Sequence, residues 1–134
     1  MNRILAFIVE HMSFLWQGAR FRIVSSMVST SNGGDAVLLA ESDGVRLRFV
    51  CDRGQLFLDL QPASARTDEW YSIDLLRRMY TGQREASAVL DASYAAFLEE
   101  HLDELEQRFA PAAWDETLAE LAILKQRRAQ EMFD

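Results

Sequence analysis

The sequence predicts an α+β protein in which helices pack on one face of a single antiparallel sheet. Three observations support this fold class. Apolar residues recur at helical spacing near the N-terminus. Over residues 21–60, apolar and polar residues alternate, and short turn signals separate the alternating stretches. After Pro62 the apolar residues again recur at helical spacing. One helix, four strands and three helices, in that order, form the segregated pattern of α+β proteins and not the alternating pattern of a parallel α/β sheet.

The length and composition indicate a single folded domain. A chain of 134 residues with 49% hydrophobic residues can enclose one core, so we expect one domain over residues 1–134. The single cysteine cannot form an internal disulfide. The first apolar run, residues 4–9, is too short for an export signal or a membrane span. We therefore expect a cytoplasmic protein that does not bind a membrane.

The N-terminal element is predicted to be an amphipathic helix that ends near Gly18. Its apolar stripe consists of Ile4, Phe7, Ile8, Met12 and Leu15. The stretch "RFRIVSSMVS" then changes to strand periodicity. Strict alternation places Phe21, Ile23, Ser25 and Met27 on one side of that strand, and Arg22, Val24, Ser26 and Val28 on the other.

The next strands follow tight turn signals. "SNGGD" at residues 31–35 and "SDG" at residues 42–44 flank the strand "AVLLAES". Connections this short require antiparallel neighbours, because parallel pairing needs a crossover of about a dozen residues. The four strands are therefore predicted to form a meander.

The register of the last two strands follows from hydrophobic patterning in "GVRLRFVCDRGQLFLDL", residues 44–60. Either a two-residue turn at Arg53 and Gly54 or a four-residue loop over residues 52–55 gives the same register. It produces one wholly apolar face, which pairs Leu47 with Leu60, Phe49 with Leu58, and Cys51 with Leu56. The opposite face pairs Val50 with Phe57 and Arg48 with Asp59, and we expect the latter to be a cross-strand ion pair.

Three helices are predicted after the sheet. Ser72 can cap a helix that begins at Ile73 and stops before Gly82. Asp91 can cap a longer helix over residues 92–109, and Pro111 suits the first turn of the last helix. The apolar stripes of the two longer helices are Tyr94, Phe97, Leu98, Leu102, Leu105 and Phe109, then Trp114, Leu118, Leu121 and Leu124.

Catalytic and metal-binding signals are weak. Cys51 falls on the apolar face, where a thiol behaves as a small hydrophobe. His101 lacks the Glu-x-x-His context of di-iron bundles because Leu98 occupies the required position. The sequence has no nucleophile elbow, phosphate loop or dinucleotide fingerprint. We therefore expect a protein without a cofactor that is not an enzyme, although paired carboxylates can act without a motif.

The net charge of −7 is concentrated in one third of the chain. Residues 85–120 contain ten acidic residues and only one basic residue, Arg108. Four of the acids, Glu99, Glu100, Asp103 and Glu104, form like-charge pairs at i, i+4 near the C-terminal half of one helix. Both the pairs and the helix dipole disfavour such acids locally. This charge argues against nucleic acid as a partner and favours a cationic one.

An antiparallel hairpin of the last two helices would place Glu116 and Glu120 beside this cluster. The basic stretch "KQRR", residues 125–128, would then lie at the far end of the hairpin and leave the acids uncompensated. Two interpretations remain open. The acidic residues bind a partner, or they form a solvated surface that only keeps the protein soluble.

Residues 45–110 resemble a group of small bacterial proteins, some of which look like immunity proteins of polymorphic toxin systems. The resemblance rests on the strand pair, the turn "DRGQ" at residues 52–55, Trp70 with Asp74 and Leu75, and Thr81 with Gly82. These residues are structural, so the resemblance implies a fold and a binding role. It implies no active-site residue.

Three hypotheses follow. The first is an immunity protein that binds and neutralises a cognate toxin through the four-acid cluster; if helices cover only the other side of the sheet, the face around Arg48, Phe57 and Asp59 is a second candidate surface. The second is a non-toxin adaptor or regulatory subunit that uses the same sheet face, for example as a homodimer. The third is a carboxylate-dependent enzyme, which would need a pocket lined by convergent acids.

Overall fold

The computed structural model describes residues 1–29, 35–64 and 68–132. The helices are α1 (Asn2–His11), α2 (Ile73–Thr81), α3 (Ala92–Arg108) and α4 (Pro111–Glu131), with a short 3-10 helix at Ser13–Leu15. The strands are β1 (Arg22–Val28), β2 (Ala36–Glu41), β3 (Val45–Asp52), β4 (Gln55–Pro62) and β5 (Tyr71–Ser72). Part of the predicted "SNGGD" turn, residues 31–34, lies outside the described residues.

The sheet is an antiparallel meander in the order β1-β2-β3-β4-β5. The predicted α+β class, with an N-terminal helix and three C-terminal helices, is confirmed. The fifth strand was not predicted, because only two residues of it pair with β4 and two residues show no detectable alternation. All four helices contribute apolar side chains to the same core cluster as the buried residues of the sheet. Examples are Ile4, Leu76, Leu98 and Leu121.

The predicted register of β3 and β4 is confirmed. Leu47 lies opposite Leu60, and Arg48 lies opposite Asp59. The connection is the two-residue turn, because Asp52 still pairs with Gln55. Arg53 and Gly54 both have positive φ angles, 53° and 81°, as a type I′ hairpin turn requires.

The predicted alternation along β1 is wrong beyond Ile23. A bulge between Ile23 and Ser25 inserts Val24, so Ile23 pairs with Ala40 whereas Ser25 pairs with Leu39. One inserted residue shifts the side-chain phase by one. Ile23 therefore shares the core side of the sheet with Ser26 and Val28, and Met27 lies on the opposite side.

The predicted end of the first helix is also wrong. α1 ends at His11, seven residues before Gly18, because Met12 leaves the helical conformation with φ −130° and ψ 42°. The 3-10 helix that follows keeps Leu15 in the core, and Met12 is fully buried as well. The apolar spacing therefore indicated the buried residues correctly but concealed the break between two helices.

In the second half of the chain, the ends of α2 and α3 lie at the capping residues that the sequence indicated. Asp91 caps α3 by accepting a hydrogen bond from the Tyr94 backbone N–H at 3.0 Å, and Gly82 ends α2 with φ 73°. Ser72 occupies the N-cap position of α2, but its hydroxyl accepts a bond from Arg128 and does not cap the helix. Within the described residues, none of the helices has the length and apolar character that crossing a membrane demands.

One buried and one partly buried tyrosine, Tyr94 and Tyr80, should make the fold sensitive to alkali. Burial, the largest effect, raises the pKa of Tyr80 and of Tyr94 to about 12. An unfolded tyrosine has a pKa of about 10. A group whose pKa is raised by folding stabilises the protein below its unfolded pKa, and this contribution disappears as pH rises through the folded value. We predict that the free energy of unfolding, from urea titrations, falls between pH 10 and 12, and that Y80F reduces this slope. An unchanged slope in Y80F would contradict the assignment.

Candidate protein-binding surfaces

One face of the sheet has no helix packed against it in the described part of the chain. Its strand residues alternate with the buried ones, and they are partly exposed along β2, β3 and most of β4. We call this surface the open sheet face. The apolar side chains on it lie outside the hydrophobic core cluster, which contains the residues of the opposite face.

An apolar row crosses the open sheet face near the β3–β4 turn. Strand pairing aligns Met27 with Val37, Val37 with Val50, and Val50 with Phe57. Leu39 continues this apolar area into the next row. Four neighbouring strands thus form a contiguous apolar patch in which Met27 is exposed and the other side chains are partly exposed, and such patches mark binding surfaces.

Charged residues border the apolar row on one side. The predicted ion pair is confirmed: the Arg48 guanidinium donates to Asp59 Oδ2 at 2.7 and 3.3 Å. One row further, Glu41 binds Arg22 at 2.5 Å, and its other oxygen lies 3.6 Å from Arg46. Both arginines of β3 are about one-third exposed. The open sheet face therefore has an apolar centre and a polar border, as protein interfaces do.

Trp70 completes this border and was missed as a site residue. Its ring lies 4.6 Å from the Arg48 guanidinium carbon and 5.5 Å from that of Arg46. Such cation–π contacts hold the arginine side chains in place over the sheet. Trp70 stands in a polar stretch before β5, so only its amphipathic chemistry could have indicated this position.

The four-acid cluster of α3 is exposed to solvent, as predicted. Glu100 and Asp103 are 77% and 84% exposed at their side chains, and Glu99 has no ion pair within the described residues. His101 lies 3.7 Å from Glu104 and 4.0 Å from Glu100. These contacts attract only when the imidazole is protonated.

Arg20 partly compensates the cluster, which the sequence did not indicate. Its guanidinium binds Asp103 at 2.8 Å and also pairs with Glu106. Glu106 accepts a hydrogen bond from the Ser42 hydroxyl at 3.0 Å, so it ties α3 to the β2–β3 turn. A β-carbon at Gly44 would lie 2.6 Å from the Glu106 carboxylate, so this close approach needs glycine there.

The end of α3 contacts the first half of α4. Thr117 donates its hydroxyl to the Arg108 carbonyl at 2.7 Å, and Arg108 lies 3.4 Å from Glu120. Glu120 is therefore compensated, whereas Glu116 is exposed and has no ion pair among the described residues. Lys125 pairs with Glu69 and Arg128 pairs with Asp74, so among the described residues these two bases do not pair with the acids of α3.

The geometry offers little to metal or thiol chemistry. The described residues contain no group of three histidine, cysteine or acidic side chains placed to hold a metal ion. Cys51 is a buried free thiol, 5% exposed. The candidate residues from the sequence lie on two surfaces: the open sheet face with Arg48, Phe57 and Asp59, and the acidic surface of α3 and α4.

Together these features define a small α+β protein with helices on one face of a five-stranded antiparallel sheet and an open second face. Comparisons with protein-family models, with curated proteins and with solved structures give no match to this chain.

Proposed function

We propose that this protein is a protein-binding module that recognises a partner through its open sheet face. The observation that carries the proposal is the apolar row of Met27, Val37, Val50 and Phe57 with a charged border along one side. A partner that covers this row would bury contiguous apolar area while Arg48, Asp59 and Trp70 remain at the rim. Interfaces bind most strongly through such central apolar and aromatic groups.

The partner class that we propose is a toxin that the protein neutralises by covering it, as the family resemblance implies. The acidic surface supports a partner with a cationic surface, because residues 85–120 hold ten acids and one base. Glu99 and Glu116 are exposed and have no basic partner among the described residues, and Glu100, 77% exposed, has only His101 nearby. Such charges accelerate encounter with an oppositely charged protein and add little to its residence time.

The proposed function is tested with the product of the neighbouring reading frame. The two proteins are co-expressed and cell growth is recorded with and without this protein. Rescue of growth together with a stable purified complex would support a toxin-neutralising role. A stable complex without any toxicity would favour an adaptor or regulatory subunit. If no complex forms, this gene product is not the partner, and the proposal that the protein neutralises it is wrong.

Reversing the acidic charges should slow association with that partner. For the double variant E99K/E100K we expect an association rate about tenfold lower at low ionic strength, and a smaller difference at high salt. Stopped-flow measurements at two salt concentrations give both rates. The matched control is E10K, which reverses a 74% exposed acid on α1 outside the cluster. Because E10K changes the net charge by two units and the double variant changes it by four, an effect of E10K half as large on the logarithm of the rate would assign the rate to net charge and remove the cluster from the mechanism.

A further inference from the structure

The two edges of the sheet differ in their protection. β5 is only two residues long and leads directly into α2, so this edge offers little backbone for pairing. β1 is seven residues long, and every one of its residues is exposed. Natural sheets protect their edges with short strands, charges, prolines or bulges. β1 has one bulge and one charge, and both lie in its first half.

The second half of β1 is uncharged and apolar on both sides. Val28 is 61% exposed on the core side and Met27 is 69% exposed on the open sheet face. Ile23, 65% exposed, lies on the core side at the start of the strand. The one charge in β1, Arg22, is engaged by Glu41 at 2.5 Å.

The free backbone groups of β1 can be identified from the ladder. The Ser29 N–H donates to the Asp35 carbonyl at 2.7 Å. Since hydrogen-bonding direction alternates along a strand, Met27 and Ser25 also direct their N–H and C=O groups toward β2. Ser26 and Val28 direct theirs away from the sheet, where a further antiparallel strand would bind.

An apolar groove adjoins this edge on the core side. It has a volume of about 420 Å³ between α1 and the start of β1, and its lining includes Leu5, Val9, Trp16, Ile23 and Phe49. Trp16 is 49% exposed and Val9 is 67% exposed. The groove and the edge therefore form one continuous surface that no described residue covers.

We propose that a second copy of this chain covers this surface by antiparallel pairing of β1 with β1 across a two-fold axis at Ser26. The edge is suited to its own copy because Val24 to Val28 contain no charge that self-pairing would bring together. A small serine at the axis permits close approach. Val28 of the second copy then lies on the core side across from residues 23–24, at the mouth of the apolar groove. The two open sheet faces become one continuous surface.

Mass measurements test the proposal directly. The weight-average mass from sedimentation should rise from 15.3 kDa toward twice that value as concentration increases from about 1 µM to 1 mM, the range of weak protein interfaces. V28K should remain monomeric over this range, because it places a charge on the edge without touching the β1–β2 hydrogen bonds. The matched control is I123K, which changes a 52% exposed apolar residue on α4 and should leave self-association unchanged.

The register is tested by cysteine cross-linking. A residue that pairs with its own copy has a Cα–Cα distance of about 5.5 Å, within the range that a disulfide spans. S26C should therefore form an intermolecular disulfide on mild oxidation, and S25C should form far less. Native Cys51 is buried and should not compete. A strict monomer at the highest concentration, or equal cross-linking of both variants, would overturn the proposal. A strict monomer would indicate that the β1 edge pairs with an extended segment of a different protein instead.

Discussion

Replacing Phe49 with alanine is expected to lower the free energy of unfolding by about 3–5 kcal/mol, the usual range for a large aromatic removed from a core. Phe49 is 1% exposed in the middle of β3, and it pairs with Leu38 and Leu58 on the core face. Truncation would remove the contacts of the ring with the core and enlarge the apolar groove beside α1 that Phe49 lines. Urea titrations of the purified protein measure the change.

The matched control for this prediction is Phe57 on the adjacent strand. F57A removes the same side chain from the open sheet face, where Phe57 pairs with Val50 and lies outside the core cluster. Its loss should cost about 1 kcal/mol or less, because surface substitutions leave no sealed cavity. Equal losses in F49A and F57A would contradict the assignment of one buried and one open face.

Replacing Phe57 should have its main effect on partner binding. If the open sheet face is the binding surface, F57A is expected to weaken the complex by at least 2 kcal/mol, about 30-fold in Kd. The reason is that Phe57 is the only aromatic residue in the apolar row. The loss should appear in the dissociation rate, since a neutral truncation does not alter electrostatic steering. Calorimetry or surface plasmon resonance with the purified partner measures it.

Ile123 again provides the comparison for binding. I123A truncates an exposed apolar residue on α4, on the helical side of the molecule, and should leave the Kd unchanged. If I123A weakened the complex and F57A did not, the helical side would be the binding surface. Because E99K/E100K tests the association rate and F57A tests the dissociation rate, the two proposed contributions can be separated in one set of kinetic experiments.

The open sheet face and the proposed dimer edge share one residue, Met27. Met27 belongs to the apolar row and also to β1, so a dimer would bring the apolar rows of the two copies close to each other across the two-fold axis. A partner that binds the open sheet face need not displace the second copy, because the apolar groove lies on the other side of the sheet. We therefore expect F57A to affect partner binding without changing self-association.

Much of the candidate site could be predicted from local sequence. The pair of Arg48 and Asp59 followed from hydrophobic patterning, because a register shift by one residue would have mixed apolar and polar side chains on both faces. The exposure of Glu99 and Glu100 followed from the apolar stripe on the other side of the same helix. Both inferences depend on neighbours within one element or across one short turn.

Contacts between distant segments could not be predicted in this way. Arg20 pairs with Asp103 across more than eighty residues, and Trp70 lies over Arg48 from a polar stretch with no periodic signal. The Val24 bulge is another case, since the strand pattern "RIVSSMV" reads equally well without an inserted residue. Each of these depends on how whole elements pack, a choice that no local window of sequence contains.

Local periodicity and turn chemistry thus determined the fold class, the register of the β3–β4 hairpin, the caps at Asp91 and Gly82, and the concentration of negative charge. These properties arise from interactions over a few residues, where side-chain alternation and backbone preference act directly. Only the tertiary structure decided that α1 covers the core face, that the other face stays open, and that β1 is left as an unprotected edge. Those outcomes depend on which face of the sheet the helices pack against, and the packing of the whole core determines that face.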